Sequence, residues 1–196
     1  MQAIVRDPEG VRLRTDQPMP APLAGEALVR PTLSLVTATD HRVATGQGTF
    51  EGVLGRCFVG VVDAVEGEDR AKLKGGRVVA EAAAFCGACD RCRAGLRQHC
   101  PQRTMPGLLD RDGCLADAVA LPLHMLHPVP DSIDDDRAVF AQILAAAFAS
   151  VHQLTIEGRP YITVLGDGPL GLLTVQLMSR LNASVRLVGR YSEKLA

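Results

Sequence analysis

Short apolar runs follow one another along the N-terminal part of the chain, each closed by a turn residue. "QAIV" (2–5), "ALVRPTLSLV" (27–36), "FVGVVDAV" (58–65), "GGRVVAE" (75–81) and "ADAVALP" (116–122) have strand length and β-branched content, with Gly and Pro between them. This rhythm predicts an all-β, barrel-like domain over residues 1–127. "HPVPDSI" (127–133) then reads as a linker ending in a helix N-cap at Asp131 or Ser132. Asp134, Asp135 and Asp136 fall in a first turn where negative charge suits the helix dipole, and the Ala-rich stretch to Leu154 predicts the first long helix. After it, "YITVLG" (161–166) has the continuous apolar character of a buried strand, the next segment is an apolar helix to about Leu181, and "SVRLVG" (184–189) is a second strand.

The strand–helix–strand order gives meaning to the glycines between its first two members. Gly166, Gly168 and Gly171 form G-x-G-x-x-G at the mouth of the helix, the pattern of a dinucleotide-binding βαβ unit. Gly166 would make the tight turn, Gly168 would let the backbone approach a pyrophosphate, and Gly171 would let helix and strand pack closely, with the helix N-terminus as the anion site. The competing reading is a βαβ unit whose glycines serve tight turns only. At the end of the second strand, where an NAD site carries Asp or Glu for the ribose hydroxyls, the chain has Gly189-Arg190. Arg190 could pair with a 2′-phosphate, so NADP(H) is favoured over NAD(H); the alternative is an Arg190 that points into solvent.

Composition adds one anomaly. At 196 residues, 47% hydrophobic, 22% charged and net charge −1, the chain is an ordinary globular protein with no bias towards nucleic acid or an anionic membrane. No segment has the apolar length of a signal peptide or a membrane span, so a cytoplasmic location is expected. Yet four of the six cysteines lie in "CGACDRCRAGLRQHC" (86–100). Cys86, Cys89, Cys92 and Cys100 read C-x2-C-x2-C-x7-C, which can wrap four thiolates around a tetrahedral zinc at about 2.3 Å. Four sulfurs leave no open position, which predicts a structural zinc and not a catalytic one, although His99 could compete as a ligand and four unligated thiols are the alternative. Arg91, Arg93, Arg97 and Arg103 around the lobe read as a solvated loop surface.

With "LGRCFVGVVDAVEG", "DGCLADAVALP", "HPVPDSI" and "ITVLGDGPLG", the cysteine lobe gives a chain that resembles the medium-chain dehydrogenase/reductase family, in its zinc-containing alcohol dehydrogenase-like branch. The resemblance covers essentially the whole chain. It implies an α/β protein with an all-β part: a GroES-like β-barrel domain (1–127), then a linker helix and the first βαβ of a partial, doubly wound Rossmann domain (128–196). It also implies hydride transfer between a nicotinamide and a small alcohol or carbonyl, and a homo-oligomer. The sequence ends after two strands of a sheet that has about six in this family, so a longer protein is expected.

The catalytic zinc pattern departs from the family. A C-G-T-D-like segment is replaced by Thr37-Ala38-Thr39-Asp40, G-H-E by Gly55-Arg56-Cys57, and E-P-L by Gln142-Ile143-Leu144. Arg56 would set a permanent positive charge where a dication should sit. Hydride transfer without a catalytic zinc is expected, with Arg56 as hydrogen-bond donor to developing negative charge and Thr39 as proton relay. The alternatives are an Arg56 ion pair with Asp40 or Glu51, a metal site rewired through Cys57, His41 and His152, and a non-catalytic pseudoenzyme or nucleotide-binding interaction module. Cys114 reads as a small packed residue.

Overall fold

A computed structural model describes residues 1–65, 73–154, 157–181 and 183–194. The chain divides into two compact units, Met1–Phe140 and Ala141–Ala196, a boundary later than the change from strand-type to helix-type sequence after residue 127.

The first unit holds two antiparallel sheets. In one, β1 (Ala3–Asp7) lies between β2 (Gly10–Arg14) and β4 (Gly52–Val53). The other has the order β7-β3-β5-β6-β8, built from β3 (Glu26–Leu35), β5 (Cys57–Val65), β6 (Arg77–Ala80), β7 (Val119–Pro122) and β8 (Leu126–Pro128). Outside its strand partners, Ile4 N–H donates to Leu115 O and Ile4 O accepts from Leu54 N–H, so residue 54 and the segment 113–116 run beside β1. β5 is the central strand and is apolar on both faces. Phe58 and Val62 enter the main core with Val29, Val78, Leu121, Met125 and Leu126, while Val59 packs with Ala138 and Val139 on the other face. This explains why its sequence is a continuous apolar run and not an alternation.

The helix after the linker starts later and stops earlier than its sequence predicts. Its N-cap is Asp134, whose side chain accepts from Arg137 N–H, and not Asp131 or Ser132. Residues 131–133 are spent in a turn closed by Ile133 N–H to Pro130 O, and Arg77 Nη2 donates to both Pro130 O and Ile133 O. α3 (Asp135–Ala138) then ends at Val139, and α4 (Ala141–His152) is a separate element of the second unit.

Glu26 is 8% exposed yet charged, and every side-chain oxygen is used. Oε1 accepts from Arg111 Nη1 at 2.8 Å and Oε2 from Leu23 N–H at 3.0 Å, while Arg111 also donates to Thr104 Oγ1 and Ala120 O. Replacing Glu26 by Ala leaves a largely buried guanidinium without its counter-charge, and a loss of about 3 kcal/mol in urea unfolding is expected. An unchanged midpoint would show that water replaces the carboxylate without penalty.

In the second unit β9 (Tyr161–Leu165) and β10 (Ser184–Val188) pair in parallel, Ser184 opposite Tyr161 through Val188 opposite Leu165, with α5 (Pro169–Met178) between them in sequence. The βαβ order is as the sequence predicts, with α5 ending a little before Leu181, but β9 is not the buried strand expected: its residues alternate between exposed and half-buried, with Tyr161 and Leu165 62% and 79% exposed. After β10 the chain makes a 3-10 turn over Ser192–Lys194, and residues 195–196 lie outside the described residues.

Candidate functional site

Among the described residues, a single group of three or more His, Cys, Asp or Glu side chains is arranged to hold a metal ion, and it is the cysteine lobe. The ligand atoms of Cys86, Cys89, Cys92 and Cys100 all lie within 4.8 Å of one another. α2 (Asp90–Arg93) makes this possible: its N-cap is Cys89, whose Sγ accepts from Cys92 N–H at 3.5 Å. Cys100 Sγ accepts from Cys86 N–H at 3.4 Å. Backbone bonds from Ala88 and Cys89 hold Cys86 down to about 6, whereas burial pushes the Cys92 thiol up to about 12. Four sulfurs this close together fit a four-thiolate zinc, for which these residues would be the ligands. His99 is exposed and outside the group, in a 3-10 turn (Arg97–His99).

The lobe has a closed neck. Ala84 and Thr104 exchange both backbone bonds, at 2.8 and 3.1 Å, as an isolated antiparallel bridge. Beside it the Phe85 ring lies 4.1 Å from that of His124, and the Arg97 guanidinium sits 4.7 Å over Phe85. Sequence reading missed Gln102, whose Oε1 is 3.3 Å from Cys86 Sγ, because a polar residue just beyond the last ligand carries no spacing signal.

Two of the three segments that depart from the family's catalytic-zinc pattern, 37–40 and 55–57, lie at one end of the sheet, and the third, 142–144, belongs to the second unit. β3 and β5 are antiparallel with Leu35 opposite Cys57, so the segment leaving β3 and the segment entering β5 emerge together. Thr37 caps α1 (Ala38–Ala44) in a capping box: its hydroxyl donates to Asp40 Oδ2 at 2.5 Å and accepts from Asp40 N–H, and its own N–H donates to Asp40 Oδ2 at 2.7 Å. Asp40 is 2% exposed, and its Oδ1 has no hydrogen-bond partner among the described residues. Thr39 and Arg56 are both half-buried. Cys57 is buried and its thiol is pushed up to about 11 by desolvation, against the opposing pull of Arg56. Cys114, also buried, is pushed up to about 12 for the same reason, and its thiol contacts Cys57 O at 3.8 Å. His41 is exposed, and His152 belongs to the second unit.

Below Arg56 the backbone is crowded. Gly113 N–H donates to Val53 O and Cys114 N–H to Gly55 O, and a Cβ on Gly113 would lie 2.2 Å from Gly55 O.

In the second unit, Gly166 has φ +116°, Gly168 is the N-cap of α5, and Pro169 opens the helix. A Cβ at Gly171 would stand 1.9 Å from Gly166 O, whereas one at Gly168 would meet nothing within 4 Å. The loop is thus tight on its helix side and open at its cap, an arrangement that suits a pyrophosphate. Arg190 is exposed beyond β10, its guanidinium 5.9 Å from the Tyr191 ring, and the Lys194 ammonium stands 4.5 Å from the same ring. Asp167 went unnoticed in the sequence. Its Oδ2 accepts from the N–H groups of Arg190 and Tyr191, each at 2.7 Å. The bond from Tyr191 foremost, and that from Arg190, hold the carboxyl below its ordinary range. The tie is therefore complete above about pH 4 and is lost as pH falls through the depressed value, and amide exchange at Arg190 and Tyr191 is expected to accelerate only in that acid range.

A sequence model of the alcohol dehydrogenase GroES-like domain matches residues 23–131, more than half of the chain. The chain belongs to the medium-chain dehydrogenase/reductase family, in its zinc alcohol dehydrogenase-like branch. An L-threonine 3-dehydrogenase of Anaeromyxobacter sp. (strain Fw109-5) is 31% identical over 93% of this chain and 55% of its own length. The chain spans about half the length of the curated relatives it matches. Among solved structures, one described as that of a zinc-binding dehydrogenase from Sinorhizobium meliloti 1021 bound to NADP superposes with TM-score 0.87 at 28% identity, covering 98% of this chain and 57% of the other. An alcohol dehydrogenase from Escherichia coli CFT073 complexed with NADH gives 0.86 at 26%, covering 99% and 58%. The GroES-like and Rossmann-type architecture of this oxidoreductase family is thus the architecture of the chain. No helix among the described residues is long and apolar enough to cross a membrane.

Proposed function

We propose that the protein is an NADP(H)-dependent oxidoreductase that transfers hydride between the nicotinamide and a small alcohol or carbonyl compound, with a structural zinc on Cys86, Cys89, Cys92 and Cys100 and without a catalytic zinc. The observation that carries the reading is the donor set at the end of β3 and β5. Thr37 is committed to Asp40, and a guanidinium follows Gly55 where the family has an imidazole. Zinc ligation wants thiolate, neutral imidazole or carboxylate around an open position, and this set does not fit it.

The nicotinamide supplies the hydride when bound. The chain's own part is to hold the dinucleotide through Gly166, Gly168, Gly171, Gly189 and Arg190, and to steady the charge that develops on the substrate oxygen. Arg56 is a permanent donor suited to that charge, and Thr39 on α1 is a hydroxyl suited to relaying the proton. The absence of Asp or Glu at the end of β10 supports the cofactor preference, while the similar solved structures include one with NADP and one with NADH.

Arg56→Ala is expected to lower kcat/KM by about a hundredfold in reduction of a panel of carbonyls and enones with NADPH. Turnover equal to the parent's removes Arg56 from the mechanism. The departure from the family's ligand pattern also favours a second reading, a nucleotide-binding module without catalysis; dinucleotide binding with no turnover across the whole panel would select it.

A further inference from the structure

The residue that the cofactor reading leaves unused is Asp167. It stands inside the glycine loop, between the turn at Gly166 and the helix cap at Gly168, and is 9% exposed. Its carboxylate does not face α5. It reaches across to the chain leaving β10 and takes the N–H groups of Arg190 and Tyr191 on one oxygen, each at 2.7 Å. Gly166 N–H adds a third tie, to Val188 O at 2.8 Å. The glycine at 189 belongs to this contact: a Cβ there would lie 2.4 Å from Asp167 Cβ and 2.7 Å from its Oδ2. An aspartate in the loop and a glycine at the strand end are therefore one feature. Gly189 occupies a place near which an NAD site would carry its acid, and the acid arrives from the loop instead.

Two successive N–H groups at a strand end are a ready anion-binding nest. Here the nest is filled by the protein's own carboxylate. An anionic group on the adenosine ribose cannot use those amides and must be met by side chains, of which Arg190 and Lys194 stand at the Tyr191 ring. Pinning the Arg190 backbone also restricts the directions its guanidinium can take, which lowers the entropy cost of pairing with a phosphate.

We propose that Asp167 is a positioning residue for the 2′-phosphate of NADP(H), acting through Arg190: it occupies the amides of residues 190 and 191 and fixes the strand end so that the guanidinium receives the phosphate. This rests on the NADP(H) reading above.

The test is calorimetric titration of the purified protein with NADP+ and NAD+, as parent, Asp167→Asn, Arg190→Ala and the double variant. Arg190→Ala is expected to weaken NADP+ about tenfold or more and to leave NAD+ within about twofold, since a charge-assisted pair is lost only with the phosphate. Asp167→Asn keeps the shape and one oxygen acceptor but removes the charge; it is expected to weaken NADP+ about fivefold, to spare NAD+, and to add nothing in the Arg190→Ala background. A merely structural role would weaken both dinucleotides and add to Arg190→Ala, and either result overturns the proposal. Tighter NADP+ binding by Asp167→Asn overturns it as well, since the carboxylate would then be repelling the phosphate. If Arg190→Ala leaves NADP+ unchanged, the NADP(H) reading itself fails, and this arm shows it independently of Asp167. Should Asp167→Asn fold poorly, Asp167→Ser, which adds no bulk and keeps an uncharged acceptor, carries the same expectations.

Discussion

Cys100→Ser is expected to reduce zinc from about one per chain to a trace after mild chelation, and to open residues 86–100 to protease. Cys100 is fully buried and lies 3.5 and 3.9 Å from the sulfurs of Cys86 and Cys89, so it faces the interior of the group and not its rim. Serine is a poor zinc ligand, and three thiolates with an exposed Cys86 would exchange metal readily. Little else holds the lobe. Its helical pieces, Asp90–Arg93 and Arg97–His99, are far shorter than an isolated helix needs, and its buried side chains are Cys92 and Cys100 themselves. Metal binding and lobe folding are then one event. Elemental analysis and limited proteolysis measure the two halves of the expectation, and a variant that keeps stoichiometric zinc would refute it. Damage is expected to stop at the Ala84–Thr104 neck, since the core around Val29, Phe58 and Leu121 draws nothing from residues 86–100.

The second large effect concerns Gly113. A single methyl group there would meet Gly55 O at 2.2 Å and Leu54 O at 2.5 Å, both backbone atoms in a paired segment. Neither can move without breaking the bonds from Cys114 N–H to Gly55 O and from Leu115 N–H to Leu54 O. Gly113→Ala is expected to cost about 3 kcal/mol or more, as other overpacked sites do, and to leave much of the protein insoluble on expression. Gly48→Ala, at a site with ordinary φ and nothing within 4 Å, is the matched control and is expected to change stability by less than about 0.5 kcal/mol. Equal melting temperatures for the two variants would mean that the crossing of the two segments is looser than its hydrogen bonds indicate.

Legibility in the sequence followed the range of the interactions. β3, β5 and β6 were readable because burial imprints an apolar pattern on the strand itself, and β9 and β10 from their apolar runs, although Tyr161 and Leu165 are 62% and 79% exposed. The cysteine lobe was readable because its ligands fall within one short segment. β2 was not, since Val11 and Leu13 are exposed at 43% and 63% and β-branched alternation gives no core-facing signal there. The helix start was misplaced because three consecutive aspartates follow two other capping residues, and the choice among them is made by Arg77, a residue of a distant strand. At the site, the glycine loop was evident, whereas Asp167 is defined by partners 23 and 24 positions away that no local window contains. A reciprocal reading, an acid missing at the strand end and an acid present in the loop, was the available signal.

The neck of the cysteine lobe has a practical corollary. Residues in a hydrogen-bonded antiparallel pair have Cα atoms about 5.5 Å apart, a gap that a tight two-residue connection can span. Everything between Ala84 and Thr104 is thus topologically a detachable cassette. A version in which a type I′ turn such as Asn-Gly joins these two residues would lack the four thiols, and its folding is expected to be indifferent to added zinc or chelator.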